Sequence, residues 1–489
     1  MKYKLWGGLL CICALVLSLG APLLAGGGQT RYHQHRDAPA KQADTADTGV
    51  LSTHLPLVEI DTSGVEIPGK PTYDENGFSH YTTAADGSED ILARMDIIDH
   101  ETTYNHADDA PTLETAVRLH VRGRSSRNFE KSGYSLRLVN ADGTNNPQSV
   151  LGMDAHHEWA LHGPYLDKTL LRNYMWYNIG GEIMGCAPNV RFCEVILNGV
   201  YQGVYVMTEK LTAGDNGARL DLKVNAKDNT FSGYLLQLNG GEPSKGGHTR
   251  QFSFYTERTQ AQLDIVYPGP EKLTSEMETA ISRDFSAFEK ALYSYDFDSD
   301  TMGYAAYIDV QSFVDYFLIN ELTCNYDAGR FSTYIGKDTS GKLRLYLWDM
   351  NSACDNFQEQ AVDAQGFELQ SRLWYAMLIK DEDFTDALID RYWELRKTYF
   401  DPDYLTRYID EIVSYLDGAV DRNFSVWGDT FADDTLLIPV SRNLHSYDEA
   451  IGQLKDFLTA RIEWMDANID TLRQYSANSR VKKFKENTN

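Results

Sequence analysis

Two alternating runs, Arg191–Leu197 and Val200–Met207, meet at Asn198-Gly199. Alternation with period two is the pattern of a strand, and an Asn-Gly pair tolerates the two positive φ angles of a type I′ turn. This stretch is therefore committed to a β-hairpin. Other runs around it alternate in the same way: Ala116–Val121, Tyr134–Val139, Pro56–Ile60 and Ile91–Ile98. Arg122-Gly123-Arg124-Ser125-Ser126 interrupts two of them. One helical pattern intervenes, over Leu166–Met184, with Asp167 as N-cap, Leu171, Tyr174, Met175 and Asn178 along one face, and Gly185 as terminator.

Beyond Asn239 a Gly-rich linker, Gly240–Gly247, precedes a change of character. Helical spacing then governs Met277–Tyr293, Val310–Thr323, Ser371–Lys380, Phe384–Phe400, Tyr404–Leu416 and Tyr447–Leu472, broken by one β segment at Ser332–Trp348. The class expected is α+β, a β-rich half followed by a mostly helical half. With 489 residues, 42% of them apolar, the chain is long enough for two or three packed units. The divisions read from the pattern are 1–25, an export segment; 26–54, a flexible tether; 55–110, a β-rich extension; 111–239, the main β unit; 240–476, the helical unit; and 477–489, a basic tail.

The formal charge of −26 argues against nucleic acid as a partner and favours basic partners or divalent cations. Lys2 and Lys4 precede an apolar run, Leu5–Ala25, with polar sequence after it. That is an export signal, either cleaved after Ala25 or kept as a membrane anchor. The protein is thus expected outside the cell, at its surface or tethered to its membrane. Cys186, Cys193, Cys324 and Cys354 follow no zinc-ligand spacing, and an exported chain permits disulfides among them.

The chemistry concentrates around the inserted β segment. Asp309 can cap the helix that starts at Val310, and Asp327 comes just after that helix. The chain runs out along Ser332–Lys337, turns at Asp338–Gly341 and returns through Leu343, Leu345 and Leu347 to Asp349. The two runs are similar in length, so Asp327 and Asp349 should meet at the open end of a hairpin. Paired carboxylates there suit phosphoryl transfer, one accepting the proton of an attacking hydroxyl and the other holding Mg²⁺. Solvated turn residues are the ordinary alternative.

Several motifs in one order resemble the spore-coat protein H (CotH) kinase family. They are Arg122–Ser126 with Lys131–Leu138; Leu151-Gly152-Met153 and Glu158–Leu161; Asp167–Asn173; Glu194–Gly199, Gly203–Tyr205 and Thr208-Glu209-Lys210; Gly233–Leu236; Phe313–Glu321; Asn325-Tyr326-Asp327; and Trp348-Asp349. The resemblance implies an atypical, two-lobed kinase-like fold and transfer of phosphate from ATP to protein serines with Mg²⁺ or Mn²⁺. By position Asp327 is the catalytic aspartate and Asp349 the metal ligand. Asn351 stands where many relatives have a second acid and can still offer its amide oxygen to the metal. Ser332 occupies the place of a kinase's metal-binding Asn. For nucleotide binding the resemblance implies Arg122, Gly123, Ser125 and Ser126 around the phosphates. Lys131 would neutralise phosphate charge or simply be a surface lysine. Arg172, a cation in the first turns of a helix, calls for an anionic partner. Glu209 and Lys210 would meet adenine or form a strand-end ion pair. Two functions are carried forward. One is an active serine kinase acting on a protein that is basic and Ser-rich, as the acidic charge suggests. The other is a pseudokinase serving as a surface-binding protein.

Overall fold

The hairpin read from Asn198-Gly199 forms with both residues at positive φ, 50° and 74°, and Leu197 pairs with Val200. The computed structural model describes residues 31–43, 49–75, 77, 79–214, 219–238, 249–250 and 263–479. Seven strands build a barrel: β1 (Leu57–Asp61), β2 (Ile91–Ile98), β3 (Leu113–Val121), β4 (Tyr134–Val139), β5 (Glu158–His162), β6 (Val190–Leu197) and β7 (Val200–Glu209). Their order is β6-β7-β5-β4-β3-β2-β1, and the parallel pairing of β1 with β6 closes the ring. Burial in the hairpin does not alternate. Cys193, Val195, Tyr205 and Met207 fill the barrel, while Phe192, Val204 and Val206 face a second core outside it. A strand covered on both sides reads as nearly continuous apolar sequence.

The outer cover includes α2 (Arg172–Met184), whose Tyr174 stacks on Phe192 at 4.1 Å. A second sheet contains β8 (Tyr234–Leu238), β9 (Thr249–Arg250), β10 (Leu263–Tyr267), β11 (Thr333–Lys337) and β12 (Leu343–Tyr346), in the order β9-β10-β8-β11-β12. Helices α3 (Ser275–Leu292), α4 (Val310–Thr323), α5 (Tyr375–Leu378), α6 (Glu382–Leu395), α7 (Pro402–Leu416), α8 (Gly418–Trp427) and α9 (Tyr447–Asn468) supply the rest. The fold is α+β, as expected. Asp309 caps α4 by accepting from Ser312 N–H. The predicted helix over 371–380 shrinks to α5, and α8 has no counterpart in the sequence reading.

Three divisions differ from those read in the sequence. The extension at 55–110 supplies β1 and β2, which are staves of the same barrel as β3–β7. The boundary at 239 separates β8 from its own sheet, where it pairs with β11. The tether is packed where it is described between Arg31 and Gln42. Within it, α1 (Gln34–Asp37) lies between barrel and helices. Gln34 donates to the Phe192 carbonyl and accepts from its N–H, at 3.1 and 2.7 Å. That position on β6 is free because β1 pairing begins only at Glu194. His33 Nδ1 lies 2.7 Å from the Tyr408 hydroxyl, and Arg31 donates to Asn178 and Ala187. Polar composition suggests a tether, yet Arg31, His33 and Gln34 each have specific partners here. The apolar start, Gly240–Gly247 and residues 480–489 lie outside the described residues. Among the described residues no helix is long and apolar enough to cross a membrane.

Helix α4 is buried from Ser312 to Thr323. Near its end Glu321 accepts from the N–H groups of Glu368 and Leu369. Arg461 of α9 reaches Glu321 Oε2 and the Glu321 carbonyl, each at 2.8 Å, and also donates to Ala364 and Gly366. Both side chains are fully buried. Removing one member of such a pair leaves an uncompensated charge. Arg461→Met is expected to lower unfolding free energy by about 3–5 kcal/mol in denaturant titration.

Candidate active site

The C-terminal end of α4 aims the chain at the site. Cys324 closes the helix in the left-handed region, φ 44°. Asn325 donates to Asn320 Oδ1 at 3.1 Å, and Asp327 follows, half-buried. The chain passes Ser332, also left-handed, into β11 and returns along β12, with Lys337 opposite Leu343. Asp349 then takes φ 59° and ψ 58°. For a residue with a Cβ this conformation is strained and must be held by its surroundings. Here Asp349 N–H donates to the Tyr177 hydroxyl of α2 at 2.9 Å. Gly180 of α2 permits that approach, since a Cβ on it would lie 2.1 Å from Leu347 Cδ1.

Two serines tie the carboxylates crosswise. Ser332, on the Asp327 side of the hairpin, donates to Asp349 Oδ2 at 2.9 Å. Ser352, past Asp349, donates to Asp327 Oδ2 at 3.1 Å. The pair expected from hairpin spacing is thus assembled. Ser352 and Tyr177 escaped the sequence reading; a hydroxyl three residues after Asp349 was the available signal. Burial first, and then the negative charge of Asp349, push Asp327 up to about 7. The Ser352 hydrogen bond and the charges of Arg330 and Arg372 pull it back in part. Burial and Asp349 likewise raise the Tyr177 hydroxyl far above its usual value.

A divalent metal fits these residues. Asn351 Oδ1 is buried with no hydrogen-bond partner. An unsatisfied amide oxygen two residues after Asp349 is a donor type that suits a hard cation. Among the described residues no three His, Cys, Asp or Glu side chains form a metal group. Any such ion therefore relies on the carboxylate pair plus neutral oxygens.

The Arg122–Ser126 loop comes down from the barrel onto this end of the hairpin. The Arg122 guanidinium lies 5.3 Å from the Trp348 ring, and that of Arg124 lies 5.2 Å from the Phe331 ring. Gly123 has φ 108°, and a Cβ there would collide with Ser126 Oγ. Gly123 and Ser125 are exposed and Ser126 half-buried.

The other expected nucleotide contacts are engaged elsewhere. Lys131 is a fully buried lysine, not a surface one, with Nζ donating to Asn423 of α8 at 2.6 Å. Burial drives its pKa well down. Arg172 finds its anionic partner in Asp167, at 2.6 Å, and donates to the carbonyls of Ala353 and Cys354. Glu209 pairs with Arg219 at 3.0 Å, and Lys210 with Glu158 at 3.3 Å. Each is a structural contact at the edge of a strand or helix. Trp348 and Tyr326 pack in the protein, the latter stacked on Phe357 at 4.0 Å. Cys324 and Cys354 are free buried thiols.

The raised proton affinity of Asp327 has a consequence for stability. Between the ordinary carboxylate value and about 7 the folded protein keeps a proton that the unfolded chain has lost. Stability from this group therefore falls as pH rises through that window. Asp327→Asn is expected to raise Tm at pH 8, on the order of a few degrees. The gain should shrink towards pH 4, as differential scanning calorimetry at both pH values would reveal.

A family model described as CotH kinase protein matches residues 119–465, from β3 into α9. No curated protein matches the chain. The match takes in both carboxylates, both tethering serines and the loop that overhangs them, and it points to a kinase-like function. The chain belongs to the CotH kinase family.

Proposed function

We propose that the protein is an ATP-dependent protein serine kinase with Asp327 as general base and Asp349, with Asn351, as the metal-holding side. The single observation that carries this reading is the crosswise pair, in which Ser332 and Ser352 hold two carboxylates at the mouth of one hairpin. In this reading the barrel and the helical part are the two lobes of a kinase-like arrangement, and the Arg122–Ser126 loop covers the phosphates.

The chain's own groups divide the work. Ser352 occupies Asp327 Oδ2 and leaves Oδ1 to accept the proton of a substrate serine hydroxyl. A base titrating near 7 is matched to that task at neutral pH. Tyr177 fixes the backbone of Asp349, and Ser332 fixes one of its carboxylate oxygens. Asn351 Oδ1 is the remaining oxygen donor. Bound Mg·ATP supplies the γ-phosphoryl group and the charge that screens it as the serine oxygen–phosphorus bond forms and ADP departs. The acidic surface favours a basic, Ser-rich protein substrate, and the apolar start directs the protein to the cell exterior or its membrane.

The test is label transfer from ATP to a basic Ser-rich protein with Mg²⁺ or Mn²⁺. Asp327→Ala and Asp349→Ala are each expected to reduce transfer by about 10²–10⁴-fold. Activity of the wild type should rise with pH through about 7 as Asp327 ionises. Equal transfer by all three proteins sinks the kinase reading. Absence of nucleotide binding by the wild type would favour the surface-binding alternative.

A further inference from the structure

We propose a second divalent-cation site, best matched to Ca²⁺, in the acidic cavity at the start of α4, remote from the carboxylate pair at its end. The cavity, of about 150 Å³, is lined by Asp298, Asp300, Asp381 and Asp383 together with Tyr304 and Val310. Four carboxylates share it, and its lining includes no basic side chain. Helix α4 spans 14 residues, so Val310 and the Asp327 end are about 20 Å apart.

Asp298 supplies the independent observation. It is only 8% exposed, yet its Oδ1 is buried with no hydrogen-bond partner, and among the described residues no ion pair reaches it. The donors nearby are already used. Tyr304 gives its hydroxyl proton to Asp381 Oδ2 at 2.7 Å, and Asp383 N–H donates to Asp381 Oδ1. Neighbouring cations are engaged too: Lys342 Nζ donates to the Ala305 carbonyl, and Arg344 pairs with Asp309. A buried carboxylate oxygen left without a donor is disfavoured, so an ion that completes it is the economical explanation.

The ligands are all oxygens, which selects a hard cation. Ca²⁺ accepts an irregular shell of carboxylates, carbonyls and water, whereas Mg²⁺ demands near-octahedral geometry. Among the described residues no three His, Cys, Asp or Glu side chains come together as a metal-holding group, so at most two of these aspartates bind the ion directly. Water and backbone oxygens must therefore complete the shell, and affinity should fall near 10⁻⁴–10⁻³ M, roughly that of extracellular calcium modules. The site is independent of the kinase reading.

Tyr304 lines the cavity and makes Tb³⁺ a direct probe, since excited tyrosine sensitises its luminescence. The full chain, Asp298→Asn, Asp300→Asn and Asp349→Asn would be titrated with Tb³⁺ and with Ca²⁺ up to about 5 mM, the latter followed by Tm. Ca²⁺ is expected to raise Tm in the wild type and in Asp349→Asn. Asp298→Asn should lose that rise, while its calcium-free Tm stays equal to or above that of the wild type, because an uncompensated charge is gone. Asp300→Asn should weaken Ca²⁺ and Tb³⁺ binding several-fold. A wild type without any Ca²⁺ response overturns the proposal. So does a rise retained in Asp298→Asn, or one lost in Asp349→Asn instead. Should Asp298→Asn fail to fold, unchanged affinity in Asp300→Asn overturns it.

Discussion

The buried pair of Glu321 and Arg461 anchors the chemistry of this protein. Arg461 cross-links α9, the last turn of α4 and the 364–369 segment through one guanidinium. Glu321 answers with two further backbone N–H groups. In a low-dielectric core such a network is worthwhile only when every member is satisfied, and then it allows little positional freedom. That restraint passes to Asn325 and Asp327, which leave α4 within the next turn. A helix held only by apolar contacts could slide or rotate without leaving a charge exposed.

Electrostatics at the carboxylate pair follows from that restraint. Two acids in one mouth repel, and the fold sets a hydroxyl donor against each of them. Ser332 and Ser352 each donate to the acid on the opposite arm. Arg330 and Arg372 act on Asp327 only as charges at a distance, and Asp327 still rests near 7. The left-handed backbone at Cys324, Ser332 and Asp349 belongs to the same solution. Extended or helical angles there would turn the serines away from their partners, so the strain is tied to the crosswise bonds.

What the sequence made legible was local. Alternation around Asn198-Gly199, helical spacing behind Asp309 and equal arms around Asp338–Gly341 each involve neighbours within about one element, and all three features form. The carboxylate pair was legible because both acids border one hairpin. Long-range partners were not. Lys131 looked like a surface or phosphate-facing lysine, but its acceptor Asn423 lies 292 residues on. Arg172 bonds carbonyls 181 and 182 residues away. Closure of the barrel depends on β1 meeting β6, and the fastening of Arg31–Gln42 depends on an unfilled edge of β6. No periodicity within either segment encodes such an encounter.

Helix α2 joins these levels. Its Tyr174 contacts His35 of the N-terminal segment, and its Glu182 contacts His33. Tyr177, one turn on from Tyr174, holds the Asp349 backbone, while Arg172 holds the carbonyls that follow Asn351. Asp349 is therefore positioned by a helix packed on the barrel, whereas Asp327 is positioned by α4 and α9. The two acids answer to different supports, and the serines, β11–β12, Asn325 donating to Met350 Sδ and Cys354 N–H donating to the Thr323 carbonyl connect them. Because Asp349 sets part of the proton affinity of Asp327, any shift of α2 against α4 changes not just a distance but the charge state of the base. The close contact at Gly180 limits that shift. The absence of a side chain at one position on α2 thereby bears on the protonation of a carboxylate that α2 does not touch.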